Sequence, residues 1–305
     1  MDYEKKYELI PSDKEGLYRI KAMKDFSNVK KGDIGGYVQS ENNLSHDGNC
    51  WIYDNAVVCD NAIIQDNAKI YGKAEVWYDA VIQDNAKVFD NTQVYGNARI
   101  YGNAFVCDNA IIFGSARIYD EAIVRDNARV FDNAFVWGYA IIKDNAVIRG
   151  EVNVCDKAIV RDNMVVNGRA DICGDAIISS DRDYIVFKNW WSSGRYFTWT
   201  RSNNMWKVGC FYGTGEELIA KAYKDSEEKG REYEKIVKYV EGVNNPYTQT
   251  LEKNMEVQDL YKIIEFENNN SEIVAMNIVV KDNNSNQLTV YHTNEYGGLE
   301  KYNAV

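Results

Sequence analysis

Residues 103–108 read NAFVCD and residues 109–114 read NAIIFG. The cadence Asn-Ala-x-[Ile/Val]-x-[Asp/Gly] begins at Asn55 and runs to Ser180, 21 hexads in succession. The second slot departs from alanine only at Thr92, Val152 and Met164, and the fourth, from Val58 to Ile178, is Ile or Val in every hexad. Slots held this strictly point inward. A helix cannot deliver that, because six residues at about 100° each turn the Ala/Ile pair by about 240° per repeat and scatter it around the cylinder. An extended chain can. Two residues apart, the pair shares one side of a short strand, the residue between faces out, and the Asp/Gly-Asn step turns the corner. Asn and Gly tolerate the left-handed backbone angles that a sharp corner needs. Three sides of six residues make an 18-residue coil, so residues 55–180 build about seven regular coils stacked at roughly 4.8 Å. The expected class is mainly β, a triangular parallel β-helix.

The remaining bounds come from composition. The 305 residues are 45% hydrophobic, enough for a substantial core and two or three domains. The opening MDYEKKYELIPSDKEG lacks the apolar run of a signal peptide, and no segment reaches the roughly 20 apolar residues of a membrane span, so a cytoplasmic location is expected. A net charge of -11 argues against binding nucleic acid through its phosphates. Six cysteines, Cys50, Cys59, Cys107, Cys155, Cys173 and Cys210, contain no C-x-x-C pair. They are expected to be reduced, with no metal site, no disulfide framework and no cofactor.

The repeat resembles the hexapeptide-repeat proteins, whose solenoids are left-handed. GDIGGYVQSENNLSHDGNCWIYDNA (32–56) is similar to the lead-in of YdcK-like solenoid proteins of bacteria and phages. The resemblance implies a left-handed β-helix in a bacterial host cell. It implies little about activity, because hexapeptide solenoids include acyltransferases, carbonic anhydrases and non-catalytic proteins.

Outside the repeat, residues 1–48 read as an N-terminal cap over the first coil, with LYRIKAMKDF supplying a strand, and 49–181 as the solenoid. In 182–245, RYFTWT and MWKVGCF read as a hairpin around Ser202–Asn204, and Thr214 with Glu217 as a capping box opening a helix. Tyr233, Ile236, Val237 and Val240 mark the face of a second helix, completing a small α+β domain. Residues 246–305 read as a β-meander of DLYKIIEF, EIVAMNIVVKD and QLTVYH.

Stacking by 18 exposes columns that the linear sequence hides. One wall carries Phe105, Ile123, Ile141, Ile159 and Ile177 in its outward slot, with Arg125, Lys143 and Arg161 beside them; this is the expected interface. An aromatic column runs through Trp77, Tyr95, Phe113 and Phe131. An acidic corner stacks Asp90, Asp108, Asp126, Asp144 and Asp162, most simply as turn carboxylates beside stacked Asn amides. An acyltransferase needs a general base, usually histidine; the two histidines are His46 and His292, and His46 lies on the Ile/Val register, where packing explains it. No insertion breaks the register between 55 and 180, which removes the usual place for an active-site loop.

The resulting expectation is a non-enzymatic scaffold of phage or prophage type that binds a protein partner, such as a host-defence component it inhibits, and forms a homodimer or homotrimer. The alternatives are an acyltransferase-like enzyme using His46 and an acidic nucleic-acid mimic. The second is weakened because residues 55–180 hold 17 acidic against 12 basic side chains.

Overall fold

The structure, a computed structural model, describes residues 5–190, 193–244, 277–281, 288–293 and 299–303. The chain forms two compact units, Met1–Asn244 and Asn245–Val305. The first contains a three-walled parallel β-solenoid of two-residue strands. One wall runs from Val57–Val58 to Val165–Val166, a second from Ile63–Ile64 to Asp171–Ile172, and a third from Trp51–Ile52 to Ile177–Ile178. Each strand pairs in parallel with the residues 18 further on, as Phe105 with Ile123 and Ile123 with Ile141. The third wall has eight strands, because Trp51–Ile52 adds a turn ahead of the regular hexads.

The interior is what the two strict slots demand. Every alanine of the second slot and every Ile/Val of the fourth is fully buried, and Met164, the largest departure, is 4% exposed. Thr92 fits an alanine slot because its hydroxyl donates to the Phe89 carbonyl at 2.7 Å, so no buried polar atom is stranded. The corners are left-handed: Asp66, Asp90, Asp108 and Asp126 all have φ between 58° and 60°, and glycine takes the same place at Gly72, Gly102 and Gly114. Gly72 is required on two grounds, since a Cβ there would also lie 2.9 Å from the Asp90 nitrogen.

Each end of the solenoid is closed differently. At the start, Tyr7–Pro11, Tyr18–Ala22 and Ile34–Val38 form an antiparallel ribbon, and its last strand pairs in parallel with Val57–Val58, extending the first wall. Tyr18–Ala22 lies in the expected LYRIKAMKDF strand; Tyr7–Pro11 was not anticipated. The glycines of GDIGGYV let this ribbon meet the first coil, because a Cβ on Gly35 would lie 2.5 Å from the Ile52 carbonyl and one on Gly36 2.4 Å from the Ile52 side chain. Arg19 fastens the junction, donating to the carbonyls of Gly35 (2.8 Å) and Asp54 (2.6 Å), to the Tyr37 hydroxyl and to Asn55 Oδ1, with its guanidinium 3.9 Å above the Tyr37 ring.

At the far end sits a four-stranded antiparallel sheet, Tyr184–Lys188, Tyr196–Thr200, Met205–Val208 and Phe211–Gly213, followed by helices α1 (Gly215–Asp225) and α2 (Glu227–Asn244). The hairpin and the Thr214/Glu217 capping box are as expected; the outer two strands are additional. Tyr233, Ile236, Val237 and Val240 are buried against Phe197, Trp199, Trp206 and Leu218. This sheet closes the solenoid by meeting its last backbone donors: the Asp171 N–H donates to Thr198 Oγ1 at 3.0 Å and the Ile177 N–H to Ser202 Oγ at 2.7 Å.

In the second unit, Asn277–Lys281, Leu288–Thr293 and Leu299–Asn303 pair antiparallel. The first falls within the expected EIVAMNIVVKD, the second covers most of QLTVYH and runs one residue past it, and the third was not anticipated; DLYKIIEF lies outside the described residues. Among the described residues, no helix is long and apolar enough to cross a membrane.

Candidate functional site

The proposed interface column is assembled by the third wall. Phe105, Ile123, Ile141, Ile159 and Ile177 are successive register partners, the first four half-buried and Ile177 39% exposed. The closing sheet hydrogen-bonds to the end of this wall at Ile177 rather than along its face. Beside the column, Arg125, Lys143 and Arg161 each pair with the adjacent corner carboxylate, Asp126 (3.5 Å), Asp144 (3.6 Å) and Asp162 (3.6 Å). These pairs are largely exposed, so they contribute little to stability.

The acidic corner is a turn device. Asp108, Asp126 and Asp144 accept the backbone N–H of the residue 18 further on at 3.0–3.1 Å, and Asp90 accepts that of Asp108 at 3.4 Å. The Asp162 amide holds the Asp144 carboxyl below the usual carboxylate range against a small opposing effect of burial. Alongside, Asn91, Asn109, Asn127, Asn145 and Asn163 pass one amide hydrogen bond from coil to coil. Carboxylates engaged in this way are poor imitations of free phosphates.

Trp77, Tyr95, Phe113 and Phe131 form a second column, with ring centroids 6.4, 5.0 and 4.4 Å apart. The same slot at the other corners stacks Tyr53 on Tyr71, and Tyr101 on Tyr119 on Trp137, two columns that the sequence reading missed. They were discoverable by writing every corner slot in steps of 18.

His46 lies at the N-terminal end, its ring stacked on Tyr7 at 4.2 Å. Its Nδ1 accepts the Lys6 backbone N–H at 3.3 Å, which places the ring proton on Nε2, a buried atom with no partner. Burial lowers its pKa and so favours the neutral ring. The one lone pair a general base would use is therefore occupied. A pocket of about 390 Å³ opens beside it, lined by Lys6, Lys24, Phe26, His46 and Asp47–Asn49. Lys6, 1% exposed, was invisible to sequence reading; its ammonium donates to the Cys50 carbonyl (3.1 Å), the Asp47 carbonyl (3.2 Å) and the Cys50 thiol (3.2 Å). His292 lies in the strand Leu288–Thr293 of the second unit.

One cysteine expectation is overturned. Cys155 and Cys173 are joined by a disulfide, with Cα atoms 4.7 Å apart. The relevant spacing is one coil, 18 residues, and not the C-x-x-C of a local loop. Cys50, Cys59, Cys107 and Cys210 are free, and burial pushes the Cys59 thiol up to about 11 and the Cys107 thiol to about 12.

Residues 92–106, in the middle of the solenoid, match the family model described as YdcK Beta solenoid repeat. The solenoid is in this respect similar to YdcK-like β-helix proteins. It is 37% identical over 62 residues to the "Uncharacterized acetyltransferase YdcK" of Escherichia coli (strain K12), a match covering 20% of this chain and 19% of that relative. The chain thus spans about a fifth of the YdcK relative's length.

Proposed function

We propose that this YdcK-like solenoid is a non-catalytic scaffold that binds protein through its third wall, first of all as a homo-oligomer. The observation that carries the reading is the in-register column Phe105–Ile177, which stands partly open along its length while its flanking charges neutralise one another. Apolar side chains repeated every 4.8 Å or so form a continuous stripe, and such stripes mark contact surfaces. A closed oligomer covers a stripe of this kind at no cost in specificity. A phage or prophage product built this way would act by occupying a host protein, a defence component included. The engaged histidine and the unbroken register both support a role without chemistry.

Light scattering on the full chain and on Ile141→Asp tests this. A mass above that of one 34.9 kDa chain, falling to one chain in the variant, is expected. A monomeric wild type contradicts oligomerisation, and retention of no host protein from lysate by the immobilised chain contradicts the wider partner reading.

The relative's printed name supports a second reading, acetyl transfer at the pocket beside His46. It requires acetyl-CoA turnover that His46→Ala abolishes, and for His46 to act as base Nδ1 must release the Lys6 amide.

A further inference from the structure

The corner that stacks Tyr101, Tyr119 and Trp137 continues, one coil at a time, into Cys155 and Cys173. A Cys-Asp dipeptide occupies a corner three times, at 59–60, 107–108 and 155–156, and each Asp takes the left-handed conformation. One coil beyond Cys59 stands Trp77, and one coil beyond Cys107 stands Arg125. Only beyond Cys155 does the next coil bring a second sulfur. As a result Cys155 Sγ, Cys173 Sγ and an Asp156 carboxylate oxygen lie within 4.8 Å of one another.

We propose that, once its disulfide is reduced, this corner is a binding site for a thiophilic divalent cation of the zinc class, with Cys155, Cys173 and Asp156 as ligands. Donors about 2.0–2.3 Å from a tetrahedral ion lie within 4 Å of each other, which three side chains this close reach with small adjustments. Two thiolates and one carboxylate suit zinc over calcium or magnesium. Asp156 is already oriented: its Oδ2 accepts the Gly174 N–H at 2.9 Å and lies 3.8 Å from Cys155 Sγ. A ligand fixed by a second hydrogen bond binds metal with less reorganisation. Next to the cluster opens a pocket of about 640 Å³ whose lining includes Asp156, Lys157, Gly174 and Tyr212, and solvent entering there would supply the fourth ligand.

The chemistry balances. A dithiol reductant gives two hydrogens to the Cys155–Cys173 bond, which breaks into two thiols as the reductant leaves as its own disulfide. The cation then displaces both thiol protons. Disulfide and metal are mutually exclusive states of the same sulfurs, so the site is open only under reducing conditions.

The test uses the full chain carrying Cys210→Ser, which removes the exposed thiol, titrated with Zn²⁺ against a chromophoric chelator and with Co²⁺ under anaerobic conditions. The reduced protein is expected to bind one Zn²⁺ and to give the intense thiolate-to-cobalt absorption of a tetrahedral site; the oxidised protein binds none. Cys155→Ser and Cys173→Ser each abolish the cobalt spectrum. Asp156→Asn, which keeps the corner and its amide contact, weakens zinc binding by about tenfold or more. Circular dichroism checks that each variant is folded, and Asp156→Asn carries the test should a serine variant fail to fold. No zinc bound by the reduced chain, or binding unchanged in both Cys155→Ser and Asp156→Asn, overturns the proposal.

Discussion

The solenoid and its two caps solve the same problem by opposite means. In residues 55–180 each coil is held by the same few contacts made again and again: an alanine and a branched aliphatic inside, an Asp-to-amide bond at a corner, an Asn-to-Asn bond beside it. The caps use contacts made once. Arg19, Lys6 and the Gly35-Gly36 pair act at one end, and Thr198 and Ser202 at the other. The difference teaches that a repeat sets its own interior but not its termination, since each end leaves open backbone groups that only unrelated sequence can close. A defect in a cap should therefore cost more than the loss of one ordinary surface contact in the repeat.

The largest effect is expected at Arg19. Arg19→Met removes four hydrogen bonds and the Tyr37 stack, and chemical denaturation should show a loss on the order of 3 kcal/mol. A loss near zero would mean the ribbon is held by its sheet pairing alone. Next is Thr198→Val, which keeps the shape of a 1%-exposed side chain but leaves the Asp171 N–H unpaired; about 1–2 kcal/mol should be lost, with faster hydrogen exchange in the last coil. Exchange unchanged there would detach the closing sheet from the solenoid's stability.

Within the repeat, Tyr78 is an exception that sharpens the contrast. It sits at φ 57° in a corner where Asp or Gly is the rule, with its side chain 57% exposed. Tyr78→Asp restores the rule, relieves the strain, and should raise stability by about 1 kcal/mol in denaturant. A destabilised variant would show that the corners are not interchangeable. The smallest effect concerns pH. Burial lowers the His46 pKa, so its contribution is complete above the unfolded value of about 6.5 and is lost as pH falls through the lower folded value. Thermal melts should show the N-terminal cap weakening in mildly acidic buffer, and His46→Gln should flatten that dependence; identical slopes would refute it.

Much of this was readable in advance, for a physical reason. A six-residue period repeats the same constraint 21 times, so one reading of NAFVCD is checked by twenty others. The hairpin, the capping box and the apolar face of α2 were also local patterns and were also found. What escaped depends on partners far away in sequence. Tyr7–Pro11 is a strand only because Tyr18–Ala22 lies beside it, and Lys6 is buried only because Asp47 and Cys50 turn their carbonyls toward it. The Cys155–Cys173 pair was missed through a rule for local loops, although the coil length already implied that residues 18 apart touch. The apolar column was legible as a stripe; its degree of exposure depends on how the side chains of neighbouring coils lie against it.

The 18-residue coil is the claim on which the wall, the columns and the thiol corner all rest, and engineered cross-linking tests it directly. In a Cys210→Ser background, Ile123→Cys with Ile141→Cys should oxidise to an intrachain link found by peptide mapping, because the two are register partners. Ile123→Cys with Val147→Cys, a pair on different walls, should not. A link in the second pair and none in the first would contradict the three-walled coil.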